Sequence, residues 1–143
     1  MKNAVYIKEI HTISALGIEK AEKRKGYLSG QTALRFNDEL NRFTGAVSDK
    51  HLLVSDSKYH AKLDRTVRLA LSLSTRMSKS NSSITEQTGV SLGSSRGATE
   101  LLEGDLQAFV NKEHVRQLSS PTTTMGNISS WVAQDLNALA HSR

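Results

Sequence analysis

The segment from Gly89 to Val110 constrains the fold most, because an apolar run, a glycine-bounded turn and an amphipathic segment follow one another there without a gap. The run Gly89-Val90-Ser91-Leu92-Gly93 is typical of a short buried strand. From Ala98 onward the apolar side chains recur at the helical period and share one face: Leu102, Leu106, Phe109 and Val110. A strand that turns directly into a helix predicts the α/β class.

The rest of the chain supplies further short elements. In chain order the predicted elements are a strand at 5–10, a turn at Gly17, a polar helix at 18–28 that closes at Gly26, a strand at 42–47, an amphipathic helix from Ser57 to Leu73 and a last helix at 128–139. With 143 residues, the chain has the size of one domain. We therefore expect a single domain over residues 1–143, with a mixed sheet and flanking helices.

The composition excludes several classes of protein. The chain has no cysteine, and so it has no disulfide framework, no thiolate metal site and no cysteine nucleophile. No apolar stretch approaches the roughly 18 residues that cross a bilayer, so we expect no membrane span. The opening segment carries Lys8, Glu9 and His11 where a signal peptide needs an unbroken apolar centre. A cytoplasmic protein is therefore expected.

Positive charge is concentrated in the first part of the chain. Residues 1–79 hold 15 Lys or Arg against 8 Asp or Glu, whereas residues 80–143 hold 4 against 6. Such a surface attracts nucleic acid, an anionic membrane or an acidic protein. The densest cluster, residues 19–25, interleaves acids at helical spacing and has no aromatic side chain for base stacking. This pattern favours a solvated helix face, and we expect no nucleic-acid partner.

The turn Gly93-Ser94-Ser95-Arg96-Gly97 matches the G-x-S-x-G pattern between a strand and a helix, so Ser95 is a candidate serine nucleophile. A hydrolase also needs an acid and then a histidine downstream. The available residues are Asp105 or Asp135, followed by His114 or His141. Only 46 residues follow Gly97, too few for the remaining strands of such a fold, which favours a purely structural turn. The segment also lacks the Gly-Lys-Ser/Thr ending of a phosphate loop.

Three other side chains are candidates for metal ligands or for an aromatic platform that a ligand stacks on. His60 and Asp64 stand four residues apart, a spacing that metal ligands use, but no third ligand is recognisable, and a solvated ion pair is the favoured interpretation. Trp131 lies on an apolar helix face, where core packing is the favoured interpretation. We therefore expect no metal and no cofactor.

Three stretches of the chain are informative when they are taken together, in the order in which they occur. The first is residues 5–17, VYIKEIHTISALG, and the second is residues 62–71, KLDRTVRLAL. The third is residues 89–97, GVSLGSSRG, followed by residues 120–128, SPTTTMGNI, and the helix of Trp131. Together they resemble the N-terminal half of the β-ketoacyl-acyl-carrier-protein synthases, the condensing enzymes of the thiolase superfamily.

The resemblance implies a partial thiolase-like fold over residues 1 to about 136. It implies that residues 93–97 turn from a strand into a helix near the acyl pocket, and that residues 120–127 approach the dimer interface and the neighbouring subunit's pocket. The residues that it places at the substrate pocket or the interface are Ser95, Arg96, Thr123, Thr124, Met125 and Asn127. The partners that it implies are acyl-carrier protein, which is acidic, and a second copy or a complementary C-terminal half.

In that family a cysteine attacks an acyl thioester, and two histidines promote the decarboxylation of malonyl-carrier protein. The resemblance stops around Leu136, before the position at which the cysteine is expected, and none of the five histidines matches a catalytic position. Arg96 also stands where the family usually has a small or apolar residue, which suggests a shorter or more polar acyl pocket. We therefore expect a β-ketoacyl synthase fragment that is inactive alone. The alternatives are a non-catalytic partner subunit of a condensing enzyme and a serine hydrolase that uses Ser95.

Overall fold

The structure is a computed structural model, and it describes residues 4–52, 60–80, 83–115, 124 and 126–138. The chain divides into two compact units, an N-terminal unit (Met1–His51) and a C-terminal unit (Leu52–Arg143). The described residues combine helices with a small antiparallel sheet, which agrees with the α/β class in its broad sense. The prediction of one domain over residues 1–143 stays a prediction.

The N-terminal unit consists of a helix and a hairpin. The elements are α1 (Lys20–Leu28), β1 (Arg35–Asn37), β2 (Arg42–Thr44) and a short 3-10 helix (Asp49–His51). In the hairpin, Phe36 lies directly opposite Phe43, and their rings meet edge to face with centroids 5.3 Å apart. Aromatic pairs at facing positions stabilise antiparallel strands. The strand predicted at residues 42–47 is thus confirmed only for its first three residues.

The polar helix predicted at residues 18–28 is confirmed as α1, although it does not close at Gly26 and continues to Leu28. Its last turn closes where the N–H of Ser29 donates to the carbonyl of Lys25 at 2.9 Å. Gly26 instead makes room for a neighbour, because a Cβ built on it would lie 2.6 Å from Cδ2 of Leu16. The glycine therefore serves close packing against Leu16 and does not terminate the helix.

The strand predicted at residues 5–10 is wrong, because these residues adopt no regular secondary structure. Val5, Tyr6 and Ile7 are 96%, 83% and 81% exposed. Alternating apolar residues form a strand only when a neighbouring strand accepts their backbone hydrogen bonds. In the described part of the chain, the only strand pairing is that of β1 with β2.

A tight turn precedes α1. Ser14 and Gly17 exchange two backbone hydrogen bonds of 3.2 and 3.0 Å, and the ammonium of Lys23 in α1 donates to the carbonyl and the hydroxyl of Thr12. Gly17 is buried and has a φ of +112°, a region that residues with a side chain rarely adopt. The predicted turn at Gly17 is thus confirmed.

We predict that Gly17→Ala lowers the free energy of unfolding by about 1–3 kcal/mol, because a residue with a side chain is strained at the positive φ of this position. The added Cβ would also displace the end of the flexible Glu22 side chain. Urea denaturation followed by circular dichroism measures the change. The control is Gly104→Ala in the helix Thr99–Val110, where a Cβ meets nothing within 4 Å and a gain of about 0.5–1 kcal/mol is expected. Equal losses in both variants would contradict the prediction.

The C-terminal unit is helical in its described residues. After a 3-10 turn (His60–Lys62) come α2 (Arg65–Ser80), α3 (Thr99–Val110) and α4 (Gly126–Asp135). The helix predicted from Ser57 is observed from Arg65, as α2. Residues 57–59 lie outside the described residues. The last helix ends at Asp135, and Leu139 also lies outside them.

The helices α2 and α4 pack on each other and form the core of this unit. Its buried side chains are Leu63, Val67, Leu71, Ile128 and Val132, and the partly buried Ala70, Val90, Trp131 and Leu136 pack against them. In α2 the core residues recur every four positions, so they lie on one helix face. The prediction that Trp131 packs on the core is confirmed.

The strand predicted at residues 89–93 is wrong in the described structure, since the segment pairs with no other strand. Val90 nevertheless packs against the core, and Leu92 is 40% exposed. The helix predicted after it is confirmed as α3. Its apolar residues share one face as predicted, but that face is exposed: Leu102 48%, Leu106 60%, Phe109 71% and Val110 66%.

Candidate functional site

The turn that contains the candidate residues Ser95 and Arg96 is closed by a side chain. The Oγ of Ser94 accepts the N–H of Gly97 at 2.9 Å. Gly97 is buried and has a φ of +71°, so the left-handed conformation explains the glycine at this position. Ala98, which follows, is 1% exposed and leads into α3. The G-x-S-x-G pattern is therefore a tight connection whose last glycine has a conformational role.

The side chains of Ser95 and Arg96 are both exposed at this turn. A serine nucleophile needs a base within hydrogen-bond distance of its hydroxyl. In the described ranges, no histidine or any other side chain forms a hydrogen bond with Ser95. In the described residues, the hydroxyl of Ser95 is therefore accessible but has no base that would activate it.

We predict that a fluorophosphonate probe does not label the chain, because no base among the described residues is hydrogen-bonded to the hydroxyl of Ser95. Intact-mass spectrometry after incubation with the probe measures the label. Ser95→Ala is the matched control, since it removes the one hydroxyl in question. Labelling of the wild type that disappears in Ser95→Ala would contradict the prediction and support the hydrolase alternative.

Asp64 is the most constrained polar residue of this region. It is 1% exposed, and its two carboxylate oxygens accept backbone amides from two different helices. Oδ1 accepts the N–H of Thr66 in the first turn of α2 at 2.8 Å, and Oδ2 accepts the N–H of Leu101 in the first turn of α3 at 3.1 Å. Both helix N-termini present unpaired amides and a partial positive charge. One carboxylate therefore caps α2 and joins α3 to it.

The predicted solvated ion pair of His60 and Asp64 is wrong, because Asp64 is buried and its oxygens bind backbone amides. His60 instead meets Trp131 edge to face, with ring centroids 6.1 Å apart. Its Nδ1 is buried and has no hydrogen-bond partner among the described residues. The described part of the chain contains no group of three or more His, Cys, Asp or Glu side chains that could hold a metal.

The remaining candidate residues lie at the start of α4. Asn127 is 8% exposed, and its backbone N–H donates to the carbonyl of Thr124 at 3.1 Å. Thr124 is exposed. Thr123 and Met125 lie outside the described residues. The structure therefore places Asn127 at the edge of the core and Thr124 on the surface.

A hydrogen-bonded link between α2 and α4 was missed from the sequence. Oδ2 of Asp135 accepts the hydroxyls of Ser74 at 2.8 Å and Thr75 at 3.2 Å. From the sequence alone, Asp135 is a candidate only for the acid of a hydrolase. The one available signal was that Ser74 interrupts the apolar face of α2, where a serine needs a partner if it is buried.

We predict that Ser74→Ala lowers the free energy of unfolding by about 1 kcal/mol, because the variant lacks the buried hydroxyl that donates to Asp135. Thermal melts of the variant measure the loss. Ser78→Ala is the matched control on the same helix, since among the described residues the exposed Ser78 bonds only the carbonyl of Thr75. We expect a change within about 0.5 kcal/mol. A larger effect at Ser78 than at Ser74 would contradict the link.

Two of the three stretches that the sequence linked by resemblance meet in the C-terminal unit, whereas the first, residues 5–17, belongs to the N-terminal unit. Residues 62–71 supply Asp64 and one side of the core, and residues 89–97 supply Val90 and the turn into α3. Ile128 and the helix of Trp131 supply the other side. Segments distant in sequence are thus packed into one cluster, next to the exposed Ser95 turn.

The comparisons with known proteins add no relative. No protein-family model matches the chain, and no curated protein matches it. No helix in the described ranges is both long and apolar enough to cross a membrane. A function for the chain is therefore inferred from the residues and contacts described above.

Proposed function

We propose that residues 1 to about 136 form the N-terminal part of a β-ketoacyl-acyl-carrier-protein synthase with a thiolase-like fold. Such an enzyme transfers an acyl group to a cysteine thiol. It then forms a carbon–carbon bond between that acyl group and malonyl-carrier protein, with release of CO₂ and of the thiol. The chain has no cysteine, so the thiol must come from residues outside these 143.

The bond between Asp64 and Leu101 is the observation that supports the proposal most. Asp64 belongs to the Lys62-Leu63-Asp64-Arg65 stretch that resembles the family's helix start, and Leu101 follows the Gly93–Gly97 turn. A buried carboxylate that joins two such motifs gives a physical reason for an aspartate at this position. The bond fixes the start of α3 and, with it, the turn that presents Ser95 and Arg96.

Under this proposal the exposed turn lines the acyl pocket. Arg96 is exposed there, and a guanidinium near an acyl tail disfavours long saturated chains. Thr123, Thr124, Met125 and Asn127 belong to the dimer-interface loop under the same proposal. A non-catalytic partner subunit would use the same surfaces, with its cysteine supplied by another chain.

Exposed apolar surface in both units also supports the proposal. Val5, Tyr6 and Ile7 are more than 80% exposed, and the apolar face of α3 is exposed along its length. Large exposed apolar surfaces usually contact another part of a protein or a partner. In the proposed enzyme, the cysteine-containing region would cover part of this surface.

The test begins with the DNA that follows the Arg143 codon, translated in all three frames and searched for a Thr-Cys-Ser-like turn and later histidines. The chain is then produced together with the cysteine-containing region so identified, or with a cysteine-containing chain that co-purifies with it. Mass spectrometry measures β-ketoacyl-carrier protein formed from acyl- and malonyl-carrier protein.

We expect product only when both parts are present, and none when the cysteine is replaced by alanine. Arg96→Ala should shift the preference toward longer acyl chains. If no frame and no partner supplies a cysteine, or if the combined parts form no product, the proposal fails. Equal acceptance of long and short acyl chains by an active enzyme would reject only the role of Arg96.

A further inference from the structure

The N-terminal unit has an open cleft with a cationic lining. Its volume is about 500 Å³, within the range of sites that bind small molecules. Three cationic side chains, Lys25, Arg35 and Lys50, line it together with a single carboxylate, Glu22. Three cations against one carboxylate leave an excess of two positive charges. The cleft is therefore suited to an anion.

One of the cations is held in place by the backbone. Nη1 of Arg35 donates to the carbonyls of Thr32 and Leu34, both at 3.0 Å. The hydroxyl oxygen of Thr32 in turn accepts the N–H of Leu34 at 3.1 Å. A guanidinium that is already oriented loses less conformational entropy when it binds a ligand. Arg35 is thus positioned at the cleft before an anion arrives.

A second, apolar cleft of about 350 Å³ adjoins the first. Its lining includes Leu16, Tyr27 and Leu34. The two clefts share five lining residues: Leu16, Gly26, Gln31, Thr32 and Ala33. Tyr27 and Leu34 are 76% and 48% exposed, so both have apolar surface that a ligand would cover. A cationic region and an apolar region therefore lie side by side.

We propose that these clefts bind a small phosphate monoester that carries an apolar group. A phosphate monoester has a charge of about −1.5 to −2 at neutral pH, which matches the excess of two positive charges better than one carboxylate does. The phosphate binds among Lys25, Arg35 and Lys50, and the apolar group lies against Tyr27 and Leu34. This inference uses only the N-terminal unit and does not depend on the proposed function.

Calorimetric titration of the full chain with octyl phosphate and with methyl phosphate tests the proposal. Octyl phosphate should bind about tenfold more tightly, because its chain buries apolar surface. Lys25→Ala should weaken binding about fivefold. Arg24→Ala is the matched control, because it removes the same charge from the neighbouring position of α1 and Arg24 does not line the cleft. Glu22→Gln should tighten binding about threefold.

Vesicles of phosphatidylcholine with or without phosphatidic acid distinguish the source of the ligand, since phosphatidic acid presents the same group in a membrane. Binding to octyl phosphate in solution supports a soluble ligand, and binding only to the phosphatidic acid vesicles supports a lipid headgroup. The proposal would be overturned if neither octyl phosphate nor the phosphatidic acid vesicles bind saturably. Equal weakening by Arg24→Ala and Lys25→Ala, or equal affinity for octyl and methyl phosphate, would also overturn it.

Discussion

Replacing Asp64 by alanine is expected to lower the free energy of unfolding by about 3 kcal/mol. The substitution removes the carboxylate that accepts the amides of Thr66 and Leu101 at a partly buried site. Loss of a helix N-cap costs about 1 kcal/mol, and a buried hydrogen bond to a charged group contributes about 1.5–3 kcal/mol. Urea denaturation at neutral pH, with tryptophan fluorescence from Trp131 and circular dichroism as probes, measures the loss.

Two further variants sharpen this test. Asp64→Asn keeps one carbonyl oxygen but replaces the other acceptor with an NH₂ group, so its loss should be intermediate. Glu86→Ala removes an exposed carboxylate of the same charge, and it should change stability by less than about 0.5 kcal/mol. If Asp64→Ala proves as mild as Glu86→Ala, the carboxylate does not join α2 to α3.

Replacing Ile128 by alanine is expected to lower the free energy of unfolding by about 3–4 kcal/mol. Ile128 of α4 is fully buried in the cluster that α4 forms with α2, so truncation removes apolar contacts and leaves a cavity. Thermal and urea unfolding measure the effect. Because α4 carries both Ile128 and Trp131, fluorescence also reports whether the helix loosens before the rest of the unit unfolds.

The control for this variant is Leu106→Ala on the exposed face of α3. Leu106 is 60% exposed, and truncation there should cost less than about 1 kcal/mol. A loss at Leu106 as large as that at Ile128 would mean that the α3 face is covered in solution. Sedimentation velocity at several protein concentrations would then show whether a second copy covers it.

Local patterns in the sequence predicted the helices better than the strands. The four-residue spacing of Val67 and Leu71 predicted the buried face of α2, because a helix forms its backbone hydrogen bonds within itself. A strand also needs a partner strand, and the local sequence pattern does not show which segment that is. Residues 5–10 and 89–93 have strand patterns, yet no strand pairs with them in the described structure.

The sequence predicted the turn before α3 but not the contacts that support it. The glycine pattern correctly located the turn before α3, since the positive φ of Gly97 depends on local sterics. The role of Asp64 was not predicted from spacing, because its second partner is Leu101, 37 residues away. Likewise, the exposure of Leu106 depends on which other elements pack on α3, and a single-helix pattern does not contain that information.

The two hydrogen bonds of Asp64 differ in the length of chain that each closes. The bond to Thr66 spans two residues, and the bond to Leu101 spans 37. The short one forms within a single turn of chain, whereas the long one forms only after a large loop has closed, at an entropic cost that grows with loop length. We therefore expect that during folding the start of α2 gains its cap before α3 docks, and that the bond to the first turn of α3 forms only when α3 packs against α2.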